Sequence, residues 1–317
     1  MDRAAGQPLA WDVVGVGANS VDLVNVLPAT PDPRVASLAK LRVRQQVVCC
    51  GGQVATAMAA CAALGLRAKY VGATGTDDNG RRMREALASR AIDIADVVTR
   101  EARNQFAVIL LDDRTGERIV LWDRDERLAL RESELPVDAL AAARVVHVDD
   151  VDEDTAIRAA RVGRAAGRIV TSDLDRLTQR TEELVAAVTV PIFAEHLPAA
   201  LTGEADQERA LRKLRRRHEG LLVVTLGPEG AMALDGDTVH RVPAYEVEAV
   251  DTTGSGDVFR GGFIHGLLRG WPLDEVLRFA NAAAAVSCTR LGAMNGVPTS
   301  AEIARLVEGG RRRAIAL

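Results

Sequence analysis

Lysine is almost missing from this sequence: Lys40, Lys69 and Lys213 are the only three, so nearly all of the positive charge is arginine. That skew reads as a coding bias rather than a functional device. Aromatic residues are scarce as well, at 3% of the chain, which speaks against a site built to stack a planar base. No run of about 18 apolar residues occurs, so no membrane-spanning helix is expected. Met1–Trp11 contains no apolar leader-type segment ahead of the first strand-like run. The four cysteines, Cys49, Cys50, Cys61 and Cys288, form no C-x-x-C pair and have no zinc-ligand spacing. They are expected to be buried free thiols in a reducing cytoplasm. His147, His196, His218, His240 and His265 show no metal-ligand pairing. A net charge of −4 gives no general positive field for nucleic acid. The basic run Arg212–His218 reads as a solvated helix face.

Several nucleotide and hydrolase motifs are also absent. There is no G-x-x-x-x-G-K-[ST], which excludes a Walker P-loop. Gly15-Val16-Gly17 starts like a dinucleotide fingerprint, but Ser20 stands where a glycine is required and no strong acidic partner follows. Ser255 lies in Thr253-Gly254-Ser255-Gly256, which is not the G-x-S-x-G of a hydrolase elbow.

What is present is enough apolar residue, 48% of 317, for one large α/β domain or two modest ones. Val13–Gly17 reads as a buried strand, 52–64 as an Ala-rich helix, Ala68–Gly72 as a strand and Asn79–Ser89 as a helix. Phe106–Leu111 and Ile119–Trp122 flank a polar, Gly-containing turn and predict a hairpin. From Arg144 the chain alternates: strands at 145–148, 169–171, 191–193 and 221–226, helices at 154–166, 181–188 and 206–218. Such alternation implies right-handed crossovers and a mostly parallel sheet. A hairpin at 231–242 and helices at 257–268, 273–288 and 301–307 complete the chain. No internal repeat or low-complexity linker is visible, so residues 1–317 are expected to form a single doubly wound α/β domain. Segments near 18–48 and 98–127 would make a small β lid. Asp149 and Asp150 end a strand at the carboxyl edge, where open α/β sheets bind ligands. Asp150 is the candidate substrate contact, and the other reading of either residue is a helix cap.

The most informative stretch is Asp251-Thr252-Thr253-Gly254-Ser255-Gly256-Asp257-Val258-Phe259-Arg260-Gly261-Gly262. Small residues crowd a turn that opens into a helix, and the backbone N–H groups of Gly254, Ser255 and Gly256 offer an anion site there. Asp257 would repel an anion and does not belong in a simple phosphate cradle. It makes sense as a base that takes a proton from a hydroxyl attacking a phosphoryl group, the alternative being an ordinary first-turn acidic residue.

That string resembles, over its whole length, the signature D-T-x-G-A-G-D-x-F-x-G-G of the PfkB (ribokinase) family of carbohydrate kinases, with Ser255 in place of the usual alanine. Other segments match in order from Val13 to Pro298. Val224-Thr225-Leu226-Gly227-Pro228-Glu229-Gly230 is similar to the nucleotide-side strand and turn. Asn281 and the helix before Thr289-Arg290-Leu291-Gly292-Ala293 are similar to the adenine-side wall. Gly51-Gly52-Gln53-Val54-Ala55-Thr56 and Gly17-Ala18-Asn19-Ser20-Val21-Asp22 are similar to the two sugar-contacting motifs, and Gly75–Gly80 to a G-x-D-x-x-G turn.

The resemblance implies a ribokinase-like α/β/α sandwich and an ATP- and Mg²⁺-dependent transfer of the γ-phosphoryl group to a hydroxyl of a small carbohydrate, with Asp257 as base. Asn19, Asp22, Gly51, Gly52, Gln53 and Thr56 would hold the sugar. Thr225, Gly227, Gly230, Gly254, Ser255, Gly256 and Asn281 would hold ATP. Asp251 would belong to a loop for a monovalent cation such as K⁺, and a homodimer through the lid is implied. Three departures stand out. Thr56 replaces an asparagine. The later cation ligand falls on Gly296. The N-x-x-E motif that organises Mg²⁺ through water falls on Ala194 and Leu197, leaving Glu195, or His196, as a substitute. A nucleoside kinase of the same fold, or a catalytically weak ligand-binding regulator, are the alternatives.

Overall fold

The structure is a computed structural model, and it describes residues 9–116 and 118–313. Fourteen strands follow one another: β1 (Trp11–Val16), β2 (Ser20–Leu27), β3 (Gln45–Gly51), β4 (Ala68–Val71), β5 (Ala73–Gly75), β6 (Val98–Arg100), β7 (Phe106–Asp112), β8 (Arg118–Asp123), β9 (Ala143–Asp149), β10 (Ile169–Asp173), β11 (Ile192–Phe193), β12 (Leu222–Thr225), β13 (Ala231–Asp235) and β14 (Thr238–Val242). The order β4-β1-β9-β10 continues through bridges Thr171–Val190 and Leu174–Phe193 into β11-β12-β13-β14. Pairing is parallel as far as β12 and antiparallel beyond it. This is the mostly parallel central sheet that the alternating pattern predicts.

Both faces of the sheet are covered, which is why its inner strands are valine-rich rather than alternating. On one face Val14, Val146 and Val170 pack with Ile157, Leu184 and Leu211 of the helices Glu153–Ala165, Thr181–Ala187 and Gln207–Arg215. On the other, Val13 and Val145 meet Val54 and Met58 of the helix Gln53–Ala63, and Ile192 and Val223 meet Phe259 and Phe263 of the helix Ser255–Arg269. Local chemistry sets several helix starts: Asp77 accepts the Gly80 amide, Asp206 accepts the Arg209 amide, and Thr299 forms a capping box with Glu302.

A second sheet, in the order β3-β2-β7-β8, stands beside the sandwich as the expected small β lid. Its composition is narrower than the sequence suggested, because β6 pairs with β5 instead. Two boundaries matter for the site. β10 runs to Asp173 rather than Thr171, carrying that carboxylate to the carboxyl edge of the sheet. The helix expected from Asp257 begins at Ser255, so Asp257 lies inside its first turn. Cys49, Cys50 and Cys61 are buried free thiols, and Cys288 is a half-buried one. Among the described residues no helix is long and apolar enough to cross a membrane.

Candidate active site

The glycine-rich loop enters its helix through Gly254, which has φ 77° in the left-handed region and serves as N-cap. A side chain is excluded there on two counts. The backbone is costly for an L-residue with a Cβ, and a Cβ would stand 2.5 Å from that of Ala293 and 3.5 Å from Thr56 Cγ2. Asp251 holds the loop from the other side: its carboxylate accepts the Thr253 amide and, across the chain, the Gly292 amide, both at 2.9 Å. Ser255 N–H closes the turn on the Thr252 carbonyl at 3.3 Å, so this expected anion donor has an internal acceptor. Gly261 and Gly262 then let the helix pack closely against Ala60 and Ala280.

The sugar-motif residues converge on the same place. Ala293 faces Gly51 as well as Gly254, since a Cβ on Gly51 would lie 3.4 Å from it. Asp22 packs over Gly51 and accepts Ser20 Oγ–H at 2.7 Å. Burial, together with the negative Asp251, pushes the Asp22 carboxyl up to about 6, against the pull of the Ser20 hydrogen bond. Gly52 caps the helix that Gln53 begins. Thr56 is fully buried, and its hydroxyl has no partner.

Other expected ligands are used internally. Asn19 donates to Tyr70 Oη at 2.9 Å and to the Ala73 carbonyl at 2.7 Å, and accepts from Asn104 at 3.0 Å. Its amide therefore anchors the base of the accessory sheet. Asp150 is engaged in the same way. Its carboxylate accepts the backbone amides of Asp175 at 2.7 Å and Arg176 at 2.6 Å, and pairs with the Arg176 guanidinium at 3.2 Å. Its side chain is fully buried and anchors this loop. Asp149 likewise accepts the Ala18 and Val151 amides.

On the far side of the loop lies a cleft of about 430 Å³, within the usual range for small-ligand sites. Gly227, Ser255 and Asn281 line it together with Tyr245, Cys288 and Arg118. Asn281 also fixes the end of β14 by donating to the Val242 carbonyl at 2.9 Å. Thr225 is tied to the Phe193 carbonyl at 3.3 Å, and Gly230 is a tight turn beneath Val242. Neither lines the cleft. Arg118 reaches from β8 to donate to Thr252 Oγ1, so the accessory sheet touches the glycine loop.

For Mg²⁺, Leu197 is part of the buried core and Ala194 has no side-chain oxygen. His196 is engaged with the Asp175 carbonyl at 2.7 Å. Glu195 is exposed, and its Oε2 would lie 3.9 Å from a Cβ on Gly227, beside the cleft. One nearby carboxylate, with no second protein ligand among the described residues of this segment, fits a metal held mainly by phosphates and water. Each Asp251 oxygen accepts one backbone amide. Among the described residues no three His, Cys, Asp or Glu side chains converge on a metal position.

Sequence reasoning missed two residues. Asp257 shares a hydrogen bond with Asp173, and Asp173 is ion-paired to Arg260 at 2.7 Å. Burial first, then the Asp173 charge, hold Asp257 well above the ordinary carboxylate range, with Arg260 pulling the other way. Arg260 was visible only as a charge on an otherwise small and apolar helix stretch. Asp173 gave no signal.

Comparison with known proteins gives the family and the fold. The profile of the pfkB family carbohydrate kinases matches residues 18–300. The chain belongs to that family. A nucleoside kinase of Methanothermobacter thermautotrophicus is 28% identical over 92% of this chain and 94% of its own length. An ATP-dependent ribose-1-phosphate kinase of Halopiger xanaduensis is 33% identical over 84% and 89%. Among solved structures, a candidate ribokinase from Agrobacterium tumefaciens superposes with a TM-score of 0.87 at 29% identity, covering 94% of this chain and 97% of that one. This pfkB-family chain is therefore a carbohydrate-kinase-type enzyme with a ribokinase fold.

Proposed function

We propose that this chain transfers the γ-phosphoryl group of ATP to a hydroxyl of a small carbohydrate, with Asp257 as general base. The observation that carries the reading is the position of Asp257. It sits in the first turn behind left-handed Gly254, its neighbour Ser255 lines the 430 Å³ cleft, and Gly254 packs on Ala293, which also backs Gly51. A carboxylate at that junction can take a proton from a hydroxyl held on one side as phosphate is delivered from the other. The amides of the helix start and its dipole favour the anionic phosphoryl group. Mg²⁺, when bound, would supply charge neutralisation for the phosphates, and Glu195 is the residue that would order its water shell.

Asp22, Gly51, Gly52 and Gln53 make up the acceptor side, while Gly227, Ser255 and Asn281 make up the nucleotide side. The ATP-dependent ribose-1-phosphate kinase supports a phosphoryl donor and sugar acceptor of this kind. Residues 9–313 act as one unit, with the β3-β2-β7-β8 sheet as lid. Ile119, Val120, Leu121 and Trp122 of edge strand β8 are exposed and suit a second copy of the chain.

A thermal-shift panel of sugars, sugar phosphates and nucleosides, with and without a non-hydrolysable ATP analogue, tests the reading. Stabilisation by a sugar that deepens with the analogue supports it. Stabilisation by nucleosides alone would replace the acceptor class, as the nucleoside kinase relative allows. Binding without any ATP-dependent turnover would make the protein a ligand-binding regulator.

A further inference from the structure

A buried ion pair lies one turn along the helix from Asp257. Arg260 follows Asp257 by one turn, and its Nη2 donates to Asp173 Oδ1 at 2.7 Å, the two side chains being 4% and 3% exposed. Nη2 also reaches the Ile192 carbonyl at 3.4 Å, and Nη1 would lie 2.8 Å from a Cβ on Gly256. Nε has no partner. Apolar replacement of a buried ion pair is often neutral or stabilising, because desolvation offsets the Coulomb gain. Placing this pair against the catalytic carboxylate therefore asks for a reason in the chemistry.

We propose that Asp173 and Arg260 are positioning residues for Asp257: Arg260 keeps Asp173 ionised, and ionised Asp173 holds the base's carboxyl in place by accepting its proton in the ligand-free protein. This rests on the kinase reading above. Before Asp257 can accept a hydroxyl proton, the proton it shares with Asp173 must leave to solvent. The acid limb of the rate profile then reports that departure. The other charges facing the pair are few. Asp149 at the end of β9 adds negative charge to Asp257, and Asp150 and Asp175 add it to Asp173. Asp150 is itself paired with Arg176. His147 is held neutral by burial and by Arg260, its ring pushed down to about 3. Arg260 is the cation that closes on Asp173 at ion-pair distance among the described residues.

Two readouts test the assignment: pH profiles of kcat and kcat/KM, and a carboxyl titration of the ligand-free protein by carbon-13 NMR on labelled aspartate. Arg260→Met is expected to move the acid limb and the Asp257 titration up by about one pH unit or more. Its kcat should fall at neutral pH and recover as pH rises. Arg260→Lys should return both toward wild type. Asp173→Asn should move both down and lower the plateau, since Asp257 then turns toward Arg260. A merely structural role would lower kcat at every pH and leave the limb in place, and that result overturns the proposal. Should Arg260→Met not fold, Arg260→Lys and Asp173→Asn carry the same comparison. The titration is read without substrate. A wild-type protein that transfers no phosphoryl group would sink the proposed function alone, whereas unmoved titrations in an active enzyme would sink the pairing alone.

Discussion

Gly254 and Ala293 are packed so closely that a Cβ on the first would stand 2.5 Å from the Cβ of the second. Ala293 also backs Gly51, so one small residue spaces the Gly254 loop from the end of β3. Gly254→Val would meet both this contact and a left-handed backbone, the latter costing roughly 1–2 kcal/mol. Destabilised by this contact, the variant is expected to lose ATP binding in calorimetric titration under conditions where circular dichroism shows it folded. A folded variant with wild-type nucleotide affinity would show that the anion site lies elsewhere.

Asp257→Asn keeps the size of the side chain and removes its capacity to accept a proton. Turnover should drop by about 10²–10⁴, with ATP affinity largely intact because the carboxylate serves the acceptor rather than the nucleotide. Retention of more than half of wild-type kcat would end the base assignment.

Glu195 is the exposed carboxylate beside Gly227, while Leu197 is buried in the core. Glu195→Gln should therefore raise the Mg²⁺ concentration needed for half-maximal rate at fixed, saturating ATP. Identical Mg²⁺ titrations for variant and wild type would place the metal on phosphate and water alone. Full activity in chelator would contradict the mechanism itself.

Asp22 predicts a pH-dependent stability. Its folded-state value of about 6 lies above an unfolded value of about 3.9. The folded chain thus binds that proton more tightly. Stability from this group is fully present below the unfolded value and is lost as pH rises through about 6. At neutral pH the ionised, buried carboxylate costs at most about 2–3 kcal/mol. Asp22→Asn should be more stable than wild type at pH 7, with the advantage shrinking toward pH 4, as read by urea denaturation at both values. A difference independent of pH would refute the burial argument.

Trp122 is 65% exposed on edge strand β8, in a row with Ile119, Val120 and Leu121. If that edge meets a second copy, Trp122→Glu should shift sedimentation velocity from dimer to monomer. A wild-type protein that sediments as a monomer at micromolar concentration would remove the interface.

The parts of this protein that can be read along the chain are those whose physics is local. Thr253–Asp257 announces a tight turn, a helix start and a misplaced carboxylate within five residues, and the alternation after Arg144 announces a covered parallel sheet. Gly227, Ser255 and Asn281 could be named in advance because each sits in a contiguous pattern, and the fold gathers them at one cleft. The allocation of hydrogen bonds was not readable in that way. Asp150 follows one strand and Asp173 ends another at the carboxyl edge, yet one is engaged by the Arg176 loop and the other is set beside Asp257 and paired with Arg260. Asn19 carries a sugar-motif position, but its amide is spent on Tyr70, Ala73 and Asn104. Backbone preference and hydrophobic period act over a few residues and are written in order along the chain. Which cation reaches a buried carboxylate depends on segments brought together only by packing, so the sequence determined the sheet, the turn and the helix start that carries Asp257, and tertiary structure alone decided which acidic groups are paired with which cations.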